Sequence, residues 1–510
     1  MRIWKSLILL FLFALAFFIL IQPWGGFPDP DAFVHAKETQ WIIQHGPLLS
    51  FPWLDLTLLG SHFADLEFLH HVLLIPFVYL FGPLWGVQIA GVVFASAFFV
   101  LFFLLLKRLR AHAPFFWSFL LFLSPAMVER FSLSKPSPLA IGLFLFGLTA
   151  YVLKKPLWVF LAGFVFALSH GGWSLLLVSE VALLCGAWLF DVVVEGMPIR
   201  SFFSLRPWAL IFWSAAGTAL GVVIHPNFPH NLTLLWTQLV QVAVLTSFHR
   251  VFLGAEWLPA AWTSLVVSVA GICFASLAFV FGWTEKRAVL DLDHARNTAG
   301  FSIVLAGLFA LSIKSFRMIE YFVPFFIFFL ALLVSSIRIK RERGWQFVRN
   351  WFNSLQRWFK FLFAGLILLC SAGILIPLIS SVLFLRAQAR PFMEFAKGFA
   401  SISRTAEPGD RVFHSSWDQF PELFFLDDRL RYISGLDPTF LLAARPDLSD
   451  AYRDLTRGTR QDAYFVIHEL FHAKFVFAEN HDAAFLRALA SDPRFVRLSA
   501  DERTSTFRVE

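Results

Sequence analysis

The chain has 510 residues, of which 58% are hydrophobic, including 65 Phe and 19 Trp, with a mean hydropathy of +0.68. Soluble domains run at about 45–50% apolar, so a soluble globular protein is excluded and a polytopic α-helical membrane protein is indicated. The formal charge of +7 would suit nucleic acid only if the basic residues lined a soluble face; they fall in short loops between apolar runs, so no nucleic-acid partner is supported. Cys185, Cys273 and Cys370 all lie within apolar segments, so no disulfide framework is implied.

Met1-Arg2-Ile3-Trp4-Lys5 precedes an apolar run from Ser6 to Ile21. A positive start and an apolar core also describe a signal peptide. The length of the run, the lack of a small-x-small cleavage site and the spans that follow point to an uncleaved first helix with a cytoplasmic amino terminus. A long outer loop, 23–85, comes next, and its polar stretch from Trp24 to Gly82 holds most of the chemistry. It contains Pro28-Asp29-Pro30-Asp31-Ala32-Phe33-Val34-His35 and, further on, Ala64-Asp65-Leu66-Glu67-Phe68-Leu69-His70-His71. Acidic groups held at a membrane surface are costly and usually functional. Paired carboxylates bind a divalent cation through oxygen, or one of them acts as general base. The plainer reading is a solvated acidic loop, because loops favour Asp. For His45 and His62 the plainer reading, a hydrogen-bonded loop imidazole, is preferred. Leu69 to Phe81 is too short to span and fits a re-entrant or interfacial helix.

Further spans are expected at about 86–106, 114–128, 137–153, 157–169, 172–190, 207–225, 259–281, 298–313, 318–338 and 361–386, about eleven with the first. The charge pattern agrees with that count. The inside loops carry Lys107, Arg108 and Arg110; Lys154 and Lys155; Arg200 and Arg206; Lys286, Arg287 and Arg296; and the strongly basic 338–360 stretch. His170-Gly171-Gly172 marks the outer turn of a helical hairpin, and Asn231 to Phe248 is read as lying along the outer surface. An odd number of spans puts residues 390–510 on the same side as the acidic loop. Their composition shifts to that of a soluble domain. Strand-like runs (Arg411–His414, Arg431–Ser434, Lys474–Ala478) alternate with helical ones (Thr439–Arg445, Leu448–Thr456, Ala483–Ala490), which predicts a small α/β domain. The expected organisation is a membrane domain 1–389 and an extracytoplasmic domain 390–510, multi-pass in the plasma (inner) membrane.

An acid just after the first helix, in a long outer loop followed by many spans and an external carboxy-terminal domain, resembles the GT-C superfamily. These are integral-membrane glycosyltransferases that take sugar from a polyprenyl phosphate or diphosphate. Asp29-Pro30-Asp31-Ala32-Phe33-Val34-His35 is similar to the Asp-x-Tyr-Tyr-His type motif of oligosaccharyltransferase catalytic subunits. Its sequel, Trp41-Ile42-Ile43-Gln44-His45-Gly46 and Phe51-Pro52-Trp53-Leu54-Asp55, also fits. Asp65-x-Glu67 resembles the second acidic element of protein O-mannosyltransferases and aminoarabinose transferases. The motif resemblance covers about residues 28 to 76. The Trp-Trp-Asp-Tyr-Gly acceptor signature is absent. Ser416-Trp417-Asp418-Gln419-Phe420-Pro421 is its nearest equivalent and is read as a turn of the external domain, so sequon recognition is not carried over.

The resemblance implies that Asp31 is the base, that Asp65 and Glu67 hold or replace a divalent cation (Mg2+ or Mn2+), and that Asp29, His35, His70 and His71 stand close by. A departing phosphate needs cations on the outer side; Arg130, Lys135, Lys314 and Arg317 are the candidates, and Arg317 resembles the late-loop Arg that contacts lipid phosphate in the superfamily. Snorkelling to headgroups is the plainer reading for Arg317. The implied partners are a polyprenyl-linked sugar donor, membrane lipids and an extracytoplasmic acceptor in the cell envelope, whose nature (lipid, glycan or protein) stays open. A transporter or flippase is the alternative, for which charged residues near span midpoints are the expected sign. A minor alternative is a zinc metalloprotease, because His468-Glu469-Leu470-Phe471-His472 matches His-Glu-x-x-His. Against it, Lys474 stands where the longer motif wants an apolar residue, and a strand-like run follows at once.

Overall fold

The computed structural model describes residues 3–203, 205–238, 254–259, 261–281, 288–339 and 356–510. The chain forms two compact units, each assembled from three segments. The first comprises Met1–Gln22, Gly91–Gly221 and Glu256–Ala387; the second comprises Pro23–Ala90, Val222–Ala255 and Gln388–Glu510.

Helices of apolar residues build the first unit. Among the described residues, seven helices are long and apolar enough to cross a membrane: Trp4–Ile21, Pro83–Arg108, Gly171–Val194, Ile199–Ile224, Leu292–Lys314, Phe316–Ser335 and Ser371–Gln388. The chain is a multi-pass membrane protein. Three further expected spans correspond to the helices Ser137–Val152, Pro156–Ser169 and Trp262–Phe281. The stretch 114–128, expected as one span, is instead broken into the helix Pro114–Phe119, a tighter turn over Leu120–Leu123 and the helix Pro125–Phe131. Pro125 causes the break: it offers no N–H to the preceding turn and pushes Ser124 to an extended ψ of 112°. Lys286, Arg287 and residues 340–355 of the basic loop lie outside the described residues, as does the Asn231–Phe248 segment from residue 239 onward.

Apolar helices in a lipid surround associate through close packing, because burial from water offers them little. Small residues supply that closeness here. A Cβ on Gly217 would collide with the Phe160 carbonyl oxygen, and one on Gly186 would lie 2.5 Å from that of Ala299. The core between the helices is dominated by Phe98, Phe99, Phe102, Phe144, Phe301, Phe325 and Phe328. Among the described residues, two acids lie almost wholly buried within span helices: Glu180 in the helix Ser174–Val194 and Glu320 in the first turn of Ile319–Ser335. In the first of these helices Asp191 forms a two-pronged ion pair with Arg296, at 2.5 and 2.7 Å.

The second unit joins the long first loop to the carboxy-terminal region. Gly26–Phe27 pairs antiparallel with Arg390–Pro391; a side chain on Gly26 would meet the Arg390 carbonyl oxygen at 2.7 Å, so glycine is required there. The carboxy-terminal sheet has five strands: β1 Arg411–His414, β2 Arg431–Tyr432, β3 Phe475–Glu479, β4 Phe495–Ala500 and β5 Thr504–Val509, in the order β2-β1-β3-β5-β4. Strand β1 runs parallel to β2 and β3, and β5 runs antiparallel to β3 and β4. The first three strands and the helices Thr439–Ala444, Pro446–Thr456 and Ala483–Ala490 match the expected α/β pattern. The aromatic core mixes both ends of the sequence: Phe51, Trp53 and Phe63 pack with Phe420, Phe424 and Phe477.

Candidate active site

Within the second unit the acidic stretch is more ordered than a solvated loop. Residues Asp31–His45 form a helix. Its start is built locally: Pro30 precedes it, and the Asp29 carboxylate accepts the Asp31 N–H at 3.0 Å. Asp31 adds negative charge to the positive end of the helix. Residues three and four apart share a helix face, so Asp31, His35 and Glu38 lie along one side. His35 and Glu38 are buried, and Asp31 is half-buried.

The second half of the cluster comes from Ala64 to His71. The Asp65 carboxylate accepts the Glu67 N–H at 3.0 Å, which turns the chain into the helix Phe68–Phe81. The segment His225-Pro226-Asn227 clamps Asp65 from another part of the unit. Asn227 Oδ1 accepts the Asp65 N–H at 3.2 Å, and His225 Nε2 donates to the Asp65 carbonyl at 3.0 Å. His225 is held to that tautomer because its Nδ1 accepts the Asn227 N–H.

These two halves meet at His71. Its Nδ1 lies 2.8 Å from Asp65 Oδ2 and 3.4 Å from Glu38 Oε2, and its Nε2 lies 2.9 Å from His35 Nδ1. Glu67 Oε2 stands 3.6 Å from the same His35 nitrogen. The His70 ring is buried beside them, with its centroid 5.4 Å from that of His35. The structure therefore gathers His35, Asp65, Glu67, His70 and His71, with Asp29 bracing the turn before the helix and Asp31 one turn before His35. Glu38, His225 and Asn227 were not anticipated. Glu38 could have been found from its position three residues after His35, on the same helix face.

Burial governs the charges. The Glu38 carboxyl is pushed up to about 8 by desolvation, opposed by His71 and reinforced by Asp65 and Glu67. For His71, burial works against the charged ring, but Asp65, Glu38 and Glu67 outweigh it and raise the imidazole to about 9. At neutral pH the cluster thus holds an imidazolium against Asp65 and a protonated Glu38. Both groups keep protons in the folded state that the unfolded chain releases from its ordinary values of 4.5 and 6.5. Stability of the metal-free protein is therefore expected to fall as pH rises from about 5 to about 9. Glu38→Gln, which cannot ionise, should flatten the part of that fall below about pH 8. Thermal unfolding in detergent across this range measures it, and parallel curves for the two proteins would contradict the assignment.

The cations gather separately, within the first unit. Arg130 leaves the short helix Pro125–Phe131 to meet Glu320 Oε2 through Nε at 2.9 Å and Glu256 Oε2 through Nη1 at 2.8 Å. Ser137 Oγ donates to Glu320 at 2.8 Å. Lys135 Nζ lies 3.5 Å from Glu256 Oε2, and Arg317 Nη1 donates to Glu256 Oε1 at 3.1 Å. The Arg317 guanidinium also lies over the Trp257 ring, 5.2 Å from its centroid. Arg317 is therefore an organised part of this cluster and not merely a snorkelling side chain. Lys314 is exposed at the end of its helix and takes no part in these ion pairs. Glu256 was missed; a lone acid between apolar stretches was its only signal.

The His-Glu-x-x-His segment does not have the α-helical geometry that a zinc site of this motif needs. An α-helix would align His468 and His472, but Phe465–Leu470 winds as a wider π-type turn and the chain reverses at His472, φ 51°. His468 is exposed, stacked on Tyr464 and bonded to the adjacent Glu469 at 2.8 Å. Among the described residues, the groups able to hold a metal are His35, Glu67 and His71, and Glu38, Asp65 and His71.

No protein-family model and no curated protein sequence matches the chain. Solved structures do. The archaeal oligosaccharyltransferase AglB from Archaeoglobus fulgidus, in complex with an inhibitory peptide and a dolichol-phosphate, aligns with a TM-score of 0.61 at 12% identity, over 100% of this chain and 74% of that one. ArnT from Cupriavidus metallidurans bound to undecaprenyl phosphate gives a TM-score of 0.56 at 14% identity, over 98% and 97%. The arabinofuranosyltransferase AftD from Mycobacteria gives 0.53 at 12%, over 99% of this chain and 40% of that one. At such identities the likeness is one of backbone arrangement. The chain has the fold of the GT-C glycosyltransferases.

Proposed function

We propose that this chain is a membrane glycosyltransferase that moves a sugar from a polyprenyl phosphate or diphosphate to an extracytoplasmic acceptor. The observation that carries the reading is the buried convergence of His35, Asp65, Glu67 and His71 just after the first span. Support comes from the fold, shared with AglB bound to a dolichol-phosphate and ArnT bound to undecaprenyl phosphate.

In this reading Asp31 takes the proton from the acceptor nucleophile, and Arg130, Lys135 and Arg317 neutralise the departing phosphate. A divalent cation fits the His35, Glu67 and His71 set, whose donor atoms lie within 4.8 Å of one another. Asp65 on the far nitrogen of His71 would then orient that ligand, as carboxylates do for metal-bound imidazoles. Two nitrogens and one carboxylate favour a transition ion such as Mn2+ over Mg2+. When bound, a cation would supply positive charge to the reacting groups. Holding it would require His71 in its neutral form, so metal affinity is expected to rise with pH. Glu38, carrying its own proton, stays a hydrogen-bonding neighbour.

The reading is tested with purified protein in liposomes supplied with radiolabelled sugars on undecaprenyl phosphate and diphosphate. Release of label from the lipid in the presence of envelope extract is the expected result, and no consumption of any carrier would overturn it. The sidedness belongs to the same proposal, following the positive-inside rule. In a chain with its 3 cysteines replaced, Cys introduced at the exposed positions Ser50 and Ser491 should label from outside, and at Lys155 only after permeabilisation. Outside labelling at Lys155 would reverse the orientation.

A further inference from the structure

We propose that the Glu256 carboxylate is an internal stand-in for the donor phosphate, holding Arg130, Lys135 and Arg317 until a phosphate anion displaces it. This rests on the reading of those three cations as the phosphate subsite.

Geometry singles out Glu256. Its two oxygens serve three cationic side chains, at 2.8, 3.5 and 3.1 Å. One carboxylate needs one cation, whereas a phosphate with several acceptor oxygens suits such a convergence. The other acid plays a different part. Glu320 is 1% exposed, sits in the first turn of its helix and is held by both Arg130 and Ser137, so it is a fixed anchor. The Glu256 side chain is 19% exposed and, among the described residues, its ion pairs are with the subsite cations.

The main chain around Glu256 is tied down. Ser315 Oγ donates to the Glu256 carbonyl at 3.0 Å, and the Phe316 N–H donates to that of Leu258 at 2.9 Å. The carboxylate can therefore leave by side-chain rotation while its segment stays in place.

Charge explains why a stand-in is useful. Arg130 and Lys135 are buried, and like charges gathered away from water repel unless an anion lies among them. Among these five side chains, three cations face two acids with Glu256 in place and one with it withdrawn. Burial alone would raise the Glu256 carboxyl, but Lys135, Arg317 and Arg130 hold it well below the usual carboxylate range. The exchange is accordingly anion for anion, with no proton taken up. The cations stay oriented between turnovers, and the competing carboxylate weakens lipid binding enough for spent carrier to leave.

The test is binding of radiolabelled undecaprenyl phosphate to the full chain in nanodiscs. Glu256→Gln keeps the shape and removes the competing charge, so it should bind about tenfold more tightly, the equivalent of about 1.4 kcal/mol. Arg317→Ala should bind about tenfold more weakly. Glu256→Asp, which keeps the charge on a shorter stem, should tighten binding only about two- to threefold, and it serves if Glu256→Gln does not fold. Unchanged or weaker binding in Glu256→Gln, with Arg317→Ala still weakened, overturns the stand-in and leaves the subsite. Unchanged binding in Arg317→Ala overturns the subsite reading and the proposal with it.

Discussion

Asp31→Asn is expected to cut sugar transfer from a polyprenyl-linked donor by about 10²–10⁴-fold, the range a positioned general base supplies. The loss should fall on turnover, because the variant keeps the shape of the side chain and every other polar group. Folding should hardly notice. Asp31 is half-buried at a helix start whose turn is braced by the Asp29 carboxylate, and losing one charge there costs about 0.3–1 kcal/mol. Label transfer from lipid, measured beside the melting temperature in detergent, separates the two effects. Arg317→Ala makes the contrast: it should raise the donor KM and leave the bound complex comparatively competent. A wild-type rate in Asp31→Asn would move the base to another residue.

The largest effect on stability is expected at Arg130. This guanidinium and the Glu320 carboxylate are both almost wholly inaccessible, at 4% and 1% exposure. Arg130→Met strips Glu320 of its cation and leaves it only the Ser137 hydroxyl. A buried charge uncompensated in this way costs about 3–5 kcal/mol. The double variant Arg130→Met with Glu320→Leu removes both charges and should recover most of that loss. Denaturant titration of the solubilised protein gives the comparison; equal destabilisation in the single and double variants would show that packing, not charge, dominates.

Some of this was legible in the residues. Phe-rich runs with basic loops between them specify a membrane bundle, and period-two and helical patterns past residue 390 gave three strands and three helices of the sheet region. Asp65, Glu67, His70 and His71 stood out because charged groups so close together are rare in this composition. Other features were not visible, for two physical reasons. Glu38 is marked by helical periodicity, but Pro28-Asp29-Pro30 signals a turn, and the helix that begins right after it was read as loop. His225 and Asn227 act through a contact 160 residues away in sequence, and Glu256 through one of 126. Such convergence is a property of tertiary packing and leaves no local pattern. The broken 114–128 segment is a third case, where Pro125 outweighed continuous hydrophobicity.

The interleaving of the second unit sets an order on biosynthesis. Residues 23–90 leave the ribosome about 300 residues ahead of their partners in 388–510. Trp53 donates to the Asp428 carbonyl across 375 positions, and Asp55 waits as long for Arg411 and Arg431. Until those partners arrive, Phe51 and Trp53 lack the Phe424 ring that covers them at 5.5 and 4.7 Å. The helix bearing Asp31, His35 and Glu38 packs against the Phe420–Leu426 helix as well. The nascent chain therefore passes through a stage in which the 23–90 segment is made but its aromatic face is uncovered, and a stop anywhere before about residue 432 would strand it there. Covering of the early segment thus reports that synthesis has passed the Phe424–Arg431 stretch.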